Sequence, residues 1–330
     1  MPNSFRAVYA EKPGERPAAV LRDLPLTALP PGEVLIEVRY SSLNYKDGLA
    51  VAGAGKIMRT YPMVCGIDLA GTVLESSVPE YKRGDPVLAN GQGLSETRWG
   101  GFSQFARLPA SALVPIPHPL DMQQSMVAGT AGFTAMLCVM ALEHMGVVPG
   151  KREVVVTGAA GGVGSFAVLL LSERGYKVAA STGRPELKPW LEELGASSIV
   201  SRSELAAPTP PLASERWAGA VDTVGGQILS NVLASTAAYG AVAACGLAAS
   251  PELSTTVFPL ILRNVSLLGV CSAWTPAVQR REAWTRLAHD LPLSKLDALS
   301  REEPLSNIQA LAEEILAGKV RGRVVIDVNR

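Results

Sequence analysis

The chain has 330 residues, 48% of them hydrophobic and 18% charged, and its 30 basic and 30 acidic side chains cancel to a formal net charge of zero. That length supports two domains with cores of their own, and balanced charge without basic patches interleaved with aromatics excludes nucleic acid as a partner. A mean hydropathy of +0.21 requires a membrane check, because Met122 to Leu142 and Val154 to Ser172 lack charges over nearly spanning lengths. Glycines and hydroxyl residues interrupt both, and the second reads as a buried strand followed by its helix, so no membrane partner is expected.

Phe5-Arg6-Ala7-Val8-Tyr9 runs at once into Glu11 and Lys12 without the apolar stretch of a secretory leader. Cys65, Cys138, Cys245 and Cys271 are scattered, with neither C-x-x-C spacing nor disulfide density. The expectation is a cytoplasmic protein with buried thiols.

From the N-terminus to about residue 125 the chain reads as an all-β module. Val34 to Tyr40 alternates in part, Ala70 to Leu74 forms another strand, and Pro30-Pro31-Gly32, Arg83-Gly84-Asp85 and Trp99-Gly100-Gly101 mark turns. From about Met126 helices alternate with strands at Glu153–Thr157, Lys177–Ser181, Ser198–Val200, Ala220–Asp222, Ala241–Ala244 and Ser266–Val270, the pattern of a doubly wound parallel sheet. Pro208-Thr209-Pro210-Pro211 marks a loop inside it. A last helix over Asn307–Leu316 and a strand over Arg323–Val328 return to the β module. The fold class is therefore α/β: a Rossmann domain over 126–294, and a β-rich domain over 1–125 with 295–330.

Val154-Val155-Val156-Thr157-Gly158 leads into Ala159-Ala160-Gly161-Gly162-Val163-Gly164, a strand breaking into a glycine-rich turn ahead of an apolar helix. Such a turn lets backbone approach a pyrophosphate, whose charge meets the free N–H groups of the helix. Ala159 stands where the first glycine of G-x-G-x-x-G usually falls, and alanine still fits a tight turn. Dinucleotide binding is the expectation; a bare strand-to-helix turn is the alternative. The next strand ends in Ser181-Thr182-Gly183-Arg184, with no acid for a ribose hydroxyl and with Arg184 suited to a 2′-phosphate. Lys188 and Arg202 are further cations nearby in sequence. NADPH is expected over NADH, unless Arg184 merely faces solvent.

Four further segments add to this pattern: Ser41-Ser42-Leu43-Asn44-Tyr45-Lys46-Asp47, Pro62-Met63-Val64-Cys65-Gly66-Ile67-Asp68-Leu69-Ala70-Gly71, Gly129-Thr130-Ala131-Gly132-Phe133-Thr134-Ala135-Met136 and Ile261-Leu262-Arg263-Asn264-Val265. Together, over essentially the whole length, they resemble the zinc-free medium-chain dehydrogenases/reductases of the acrylyl-CoA reductase branch, also labelled quinone-oxidoreductase-like. The resemblance implies a GroES-like β domain that carries the substrate, and NADPH as hydride donor. It places Ala160 to Val163 at the pyrophosphate, Thr182, Gly183, Arg184 and Arg202 around the adenosine phosphate, and Leu247, Ile261 and Ser272 beside the nicotinamide. Leu247 and Ile261 are equally readable as core residues. Ala317-Gly318-Lys319 departs from relatives that present an Asn to the cofactor there.

Zinc relatives in this superfamily place a Cys ligand where Asn44 stands and a Gly-His-Glu motif where this chain has Gly66-Ile67-Asp68. Asn and Ile cannot replace thiolate and imidazole, and His118, His144 and His289 lie at no ligand spacing, so no metal is expected. Reduction of an activated C=C bond needs none: hydride adds at the β-carbon, charge develops on the carbonyl oxygen, and the α-carbon is protonated. The resemblance makes acrylyl-CoA to propionyl-CoA the leading small-molecule substrate pair. A reductase of free enones or quinones and a non-catalytic NADPH-binding protein are the alternatives.

Three residues are the catalytic candidates. Asn44 either donates a hydrogen bond to cofactor or substrate or bonds loop backbone as an Asx-turn. Tyr45, which the resemblance puts near the cofactor, packs on nicotinamide, or donates a proton, or is a satisfied buried tyrosine. Asp68 orients that loop, or relays a proton, or bonds backbone. Cys65 has no base partner, which rules it out as a nucleophile. A homodimer is the expected assembly, two-fold dimers being the commonest closed form.

Overall fold

A computed structural model describes residues 2–13 and 18–330. The chain runs through β1 (Ser4–Ala10), β2 (Val20–Pro25), β3 (Val34–Ser42), α1 (Tyr45–Ala52), β4 (Met63–Val64), β5 (Asp68–Ser76), β6 (Pro86–Asn90), β7 (Phe105–Leu108), β8 (Val114–Pro115) and α2 (Met122–His144). It then alternates through β9 (Glu153–Val156), α3 (Gly162–Glu173), β10 (Val178–Thr182), α4 (Lys188–Glu193), β11 (Ser198–Ser201), α5 (Arg202–Ala206), β12 (Trp217–Asp222), α6 (Gly226–Ser235), β13 (Thr236–Ala244), α7 (Phe258–Leu262) and β14 (Ser266–Gly269). The last elements are α8 (Ala277–Asp290), α9 (Leu296–Leu299), β15 (Ser300–Pro304), α10 (Ile308–Leu316) and β16 (Arg323–Asp327).

Two compact units result. The first runs to Thr130 and takes in Ala273–Ala288 and Leu296–Arg330; the second holds Ala131–Ser272 and His289–Lys295. Residues 273–288, assigned to the Rossmann domain on sequence, lie with the first unit. The buried ring of Trp284 on α8 explains this, since its Nε1 donates to Asn90 Oδ1 at the end of β6 at 3.0 Å.

In the first unit β15-β16-β3-β5-β6-β8 form one sheet, with β7 also paired to β3, and β2-β1-β4 form another. Val34, Ile36 and Val38 of β3, Leu69 and Val73 of β5, and Val324 and Ile326 of β16 build the core with Ile308 and Leu311 of α10. Here the all-β expectation fails at α1. Two bonds start that helix, the Asp47 N–H donating to the Asn44 carbonyl at 3.0 Å and the Asp47 carboxylate accepting the Asn44 N–H at 2.9 Å. This reciprocal cap compensates for a short sequence with a glycine inside it. Gly48 faces α10, and a Cβ there would stand 2.7 Å from Ile315 Cγ2 and 3.3 Å from the Ala312 carbonyl oxygen.

The second unit holds a six-stranded sheet, all parallel, in the order β11-β10-β9-β12-β13-β14. The order reverses at β9, which places the ligand crevice of such a sheet outside the carboxyl ends of β9 and its neighbours. Both faces are covered, so Val154 to Val156 and all of β10 are buried. α3 follows with every residue from Gly164 to Leu171 buried, which accounts for the apolar run of 154–172. α2 owes its membrane-like hydropathy to the interior as well, 83% of its apolar window being buried.

Replacing Gly48 with Leu tests the α1–α10 approach. Overpacking outweighs the ~1 kcal/mol of helix propensity gained on leaving glycine, and a net loss of about 1–3 kcal/mol is expected, read as a lower denaturant midpoint at unchanged slope.

Candidate active site

Three elements bring the catalytic candidates of the first unit together: the end of β3, the start of β5, and a break in α2. The break is at Gly129, whose φ of 48° and ψ of −154° interrupt the helix. It frees the Thr130 N–H, which donates to Asp68 Oδ2 at 2.9 Å, while Thr130 Oγ1 donates to Asp68 Oδ1 at 2.5 Å. Asp68 thus caps the second stretch of α2, where a carboxylate meets the positive end of the helix dipole. Ser42 Oγ at 2.6 Å and Asn44 Nδ2 at 2.8 Å complete its shell. The carboxylate thus accepts four hydrogen bonds, two from N–H groups and two from hydroxyls.

Asn44 is equally occupied. Its Nδ2 donates to Asp68 and, at 3.1 Å, to Asp47 Oδ2, and its Oδ1 accepts from Arg323 at 3.2 Å. Both amide hydrogens and the amide oxygen have partners inside the protein, which favours the orienting role over donation to a substrate. Asp47, wholly buried, also accepts the Ile67 N–H at 2.9 Å. Burial, and then the charge of Asp68, push its carboxyl up to about 7. Of the three catalytic candidates, Tyr45 alone presents its side chain outward, at 52% exposure. Sequence reasoning assigned no role to Ser42, Asp47, Thr130 or Arg323, although the first three stand in the motifs it singled out. Cys65 is buried and its thiol is pushed up to about 12 by that burial and by Asp47, which keeps it a neutral core group.

In the second unit the glycine-rich turn sits at the carboxyl end of β9. Gly158 takes φ +61°, and the Ala159 N–H donates to the Ser181 carbonyl at 3.0 Å, tying the turn to β10. A Cβ on Gly164 would lie 2.3 Å from the Gly158 carbonyl oxygen, so the helix starts this close to the turn only because residue 164 is glycine. α3 begins at Gly162 behind Gly161, with no side chain capping it. Arg184 Nη2 donates to the Ala160 carbonyl at 3.0 Å, which holds a guanidinium beside the turn. Arg202 lies against Gly183, where a Cβ would stand 2.8 Å from its Cζ. Two cations therefore converge on the end of β10, and Thr182 Oγ1 accepts the Arg184 N–H at 3.0 Å. An uncapped helix start, a glycine cradle and paired guanidiniums fit a phosphorylated dinucleotide.

Leu247 and Ile261 are 64% and 68% exposed, so neither is a core residue, and Ser272 is half-buried. Asp222, buried at the end of β12, accepts from Thr157 Oγ1 at 2.6 Å and from the Gly225 N–H at 2.8 Å, fixing the two strand ends at the point of reversal. A groove of about 1170 Å³ lined by Lys151, Lys177, Glu215 and Arg216 lies at the opposite, amino ends of the strands.

Two expectations follow from the first-unit cluster. At Gly129 a Cβ would stand 2.5 Å from Ser42 Oγ and 2.7 Å from Asp68 Oδ2, so Gly129→Ala is expected to cost at least ~2 kcal/mol through strain and displaced hydrogen bonds, measured by denaturant unfolding. Asp47 titrates higher in the fold than the ~4 of an unfolded chain. Its contribution to stability is thus complete below about pH 4 and is lost as pH rises through about 7. Unfolding free energies at pH 5 and pH 8 are expected to fall more in the unmodified protein than in Asp47→Asn.

Comparison with known proteins agrees with this geometry. Residues 30–118 match the family described as Alcohol dehydrogenase GroES-like domain, and residues 162–288 the family described as Zinc-binding dehydrogenase. The chain is 50% identical over 328 residues to acrylyl-CoA reductase AcuI of Ruegeria pomeroyi, covering 98% of this chain and 99% of that one. The crystal structure of Escherichia coli K-12 YhdH with bound NADPH superimposes with a TM-score of 0.95 at 48% identity, covering 98% of this chain and all (100%) of the other. YhfP of Bacillus subtilis, which carries a provisional quinone-oxidoreductase name, is 43% identical over 99% of both chains. Its structure with NAD bound has a TM-score of 0.95. The zinc named in the second family does not fit the donor set here: Asp68 already accepts four hydrogen bonds from the protein, its neighbours Asn44 and Ile67 offer an amide and an aliphatic chain, and among the described residues no group of three or more His, Cys, Asp or Glu could hold a metal ion. With two matching domains in order and half of all residues shared end to end, the chain belongs to the medium-chain dehydrogenase/reductase family, in the branch that holds AcuI and YhdH.

Proposed function

We propose that this protein reduces the C=C bond of an α,β-unsaturated thioester with NADPH, acrylyl-CoA to propionyl-CoA being the leading pair. The observation that carries this reading is the 50% identity to an acrylyl-CoA reductase across the whole chain, joined to the two guanidiniums at the end of β10. When bound, NADPH supplies hydride to the β-carbon of the substrate. The chain's own part is to bind and orient. Ala160, Gly161, Gly162, Val163 and Gly164 offer backbone to the pyrophosphate, and Arg184 and Arg202 meet the 2′-phosphate, with Thr182 and Gly183 shaping that end of the site. Leu247, Ile261 and Ser272 serve the nicotinamide side.

In the first unit Tyr45 is the side chain we assign to substrate or cofactor contact, with its phenol available to the proton that the α-carbon takes up. Asn44 and Asp68 hold the turn that carries it. For assembly we keep the homodimer, supported by β14, whose outer edge has no strand partner among the described residues, and by the exposed Val257, Phe258 and Leu262. A cytoplasmic setting belongs to the same proposal. The second reading, reduction of free enones or quinones, has the likeness to YhfP in its favour.

Initial rates of NADPH oxidation with acrylyl-CoA, free acrylate and a simple quinone separate the readings. Turnover at least tenfold faster on the thioester is expected, and equal rates on quinone count against it. Arg184→Ala and Arg202→Ala are each expected to raise the KM for NADPH about tenfold, the loss of one charge-assisted phosphate contact, while leaving that for NADH nearly unchanged. A parallel loss with both nucleotides would remove these residues from the 2′-phosphate.

A further inference from the structure

We infer that Arg323 is the positioning residue of the active-site turn, an inference that rests on the reading of Tyr45 as the side chain that meets substrate or cofactor. Arg323 opens β16 and is 3% exposed, far too enclosed to touch a substrate. Its guanidinium joins two stretches of the first unit, residues 42–44 and the end of the first part of α2. Nε donates to the Val127 carbonyl at 3.0 Å, just before the break in α2. Nη1 donates to the Leu43 carbonyl at 2.9 Å and to Asn44 Oδ1 at 3.2 Å. Nη2 donates to Ser42 Oγ at 2.8 Å. Ser42 passes its own hydrogen to Asp68 Oδ2 at 2.6 Å, so cation and carboxylate, 4.0 Å apart, are joined through one hydroxyl.

This geometry selects arginine. Four of the five N–H donors of a planar guanidinium are used here in three directions, which the three donors of a compact ammonium cannot reproduce. The site is also short of positive charge. Asp47 and Asp68 both bond Asn44 inside the protein, and Arg323 is the cation hydrogen-bonded to that same side chain. By accepting one of those N–H groups at Oδ1, Asn44 has its amide orientation set, which aims both of its hydrogens at the carboxylates. The next residue is Tyr45, the first of α1. Arg323 therefore determines where the exposed phenol begins, without contact to it. Gly129 belongs to the same device, since a Cβ there would stand 2.9 Å from Arg323 Nη2.

The test uses the full-length enzyme with NADPH and the acceptor that the unmodified protein turns over. That acceptor is established first, so that failure of the thioester reading is seen before any variant is made. In Arg323→Met, kcat is expected to fall about 100-fold, the order of loss that follows a displacement of ~1 Å at a reacting group. The Kd for NADPH, titrated by fluorescence, is expected to stay within about twofold. Arg323→Lys keeps the charge and is expected to recover about tenfold of that loss. Folded Arg323→Met with the kcat of the unmodified protein overturns the inference, as does a loss of NADPH affinity equal to the loss in kcat. If Arg323→Met does not fold, Ser42→Ala decides: it cuts the hydroxyl link and leaves every charge in place, so a fall in kcat of about tenfold at unchanged NADPH affinity is expected, and an unchanged kcat overturns the assignment.

Discussion

The carboxylate of Asp68 and the guanidinium of Arg323, buried together across the hydroxyl of Ser42, are the constraint on which the first unit depends. An isolated charge in a protein interior is severely penalised, and a buried pair is tolerated only when the remaining donors and acceptors are satisfied. Here they are. Asp68 accepts from Ser42, Asn44 and Thr130, and Arg323 donates to Ser42, Leu43, Asn44 and Val127. The consequences reach outward from this pair. α2 breaks at Gly129 so that Thr130 can cap against Asp68, β3 ends in two serines whose hydroxyls both bond residue 68, and α1 starts at a fixed point.

The second unit meets a different physical demand with different means. A dinucleotide presents a long anion to be held by many weak, directional contacts, and the turn after β9 supplies them from backbone, where no side chain has to be ordered. Glycine at 164 is required by the close approach of helix to turn rather than by the ligand itself. The two guanidiniums proposed for the 2′-phosphate, Arg184 and Arg202, stand where the second strand ends, and the first is held by a carbonyl of the turn. On the proposed reading, specificity for the phosphorylated nucleotide is built onto the same few residues that close the turn.

The family's metal chemistry has no counterpart in this donor set. Asn44, Ile67 and Asp68 supply an amide, an aliphatic side chain and a carboxylate that already accepts four hydrogen bonds from the protein. The polar cluster keeps the loop in place by hydrogen bonds and opposite charge. A reaction that delivers hydride to a polarised olefin is compatible with such a site, because the acceptor carries its own electron-withdrawing carbonyl and asks the protein chiefly for orientation.

Much of this was legible in the sequence, and the reason is range. The run Val154 to Val156, the glycines after it and the apolar helix that follows are neighbours in the chain, so their periodicity alone announces strand, turn and helix, and the absence of an acid after Thr182 with Arg184 beyond it announces the phosphorylated cofactor. The motifs around Asn44 and Asp68 were enough to place the chain in its family. Sequence left open what Asn44, Tyr45 and Asp68 do, it missed α1, and it kept the 273–288 segment with the Rossmann residues, where compactness groups it with the first unit. The surroundings of Asn44 and Asp68 and the place of Trp284 depend on partners distant in the chain: Arg323 lies 281 positions from Ser42, Thr130 is 62 from Asp68, and Trp284 is 194 from Asn90. A buried polar group carries no periodic signature, since its place is set by whichever donors the fold brings to it. Local patterning thus determined the elements and the cofactor, and tertiary structure alone decided which polar side chains are consumed in holding the site and which one, Tyr45, is left facing outward.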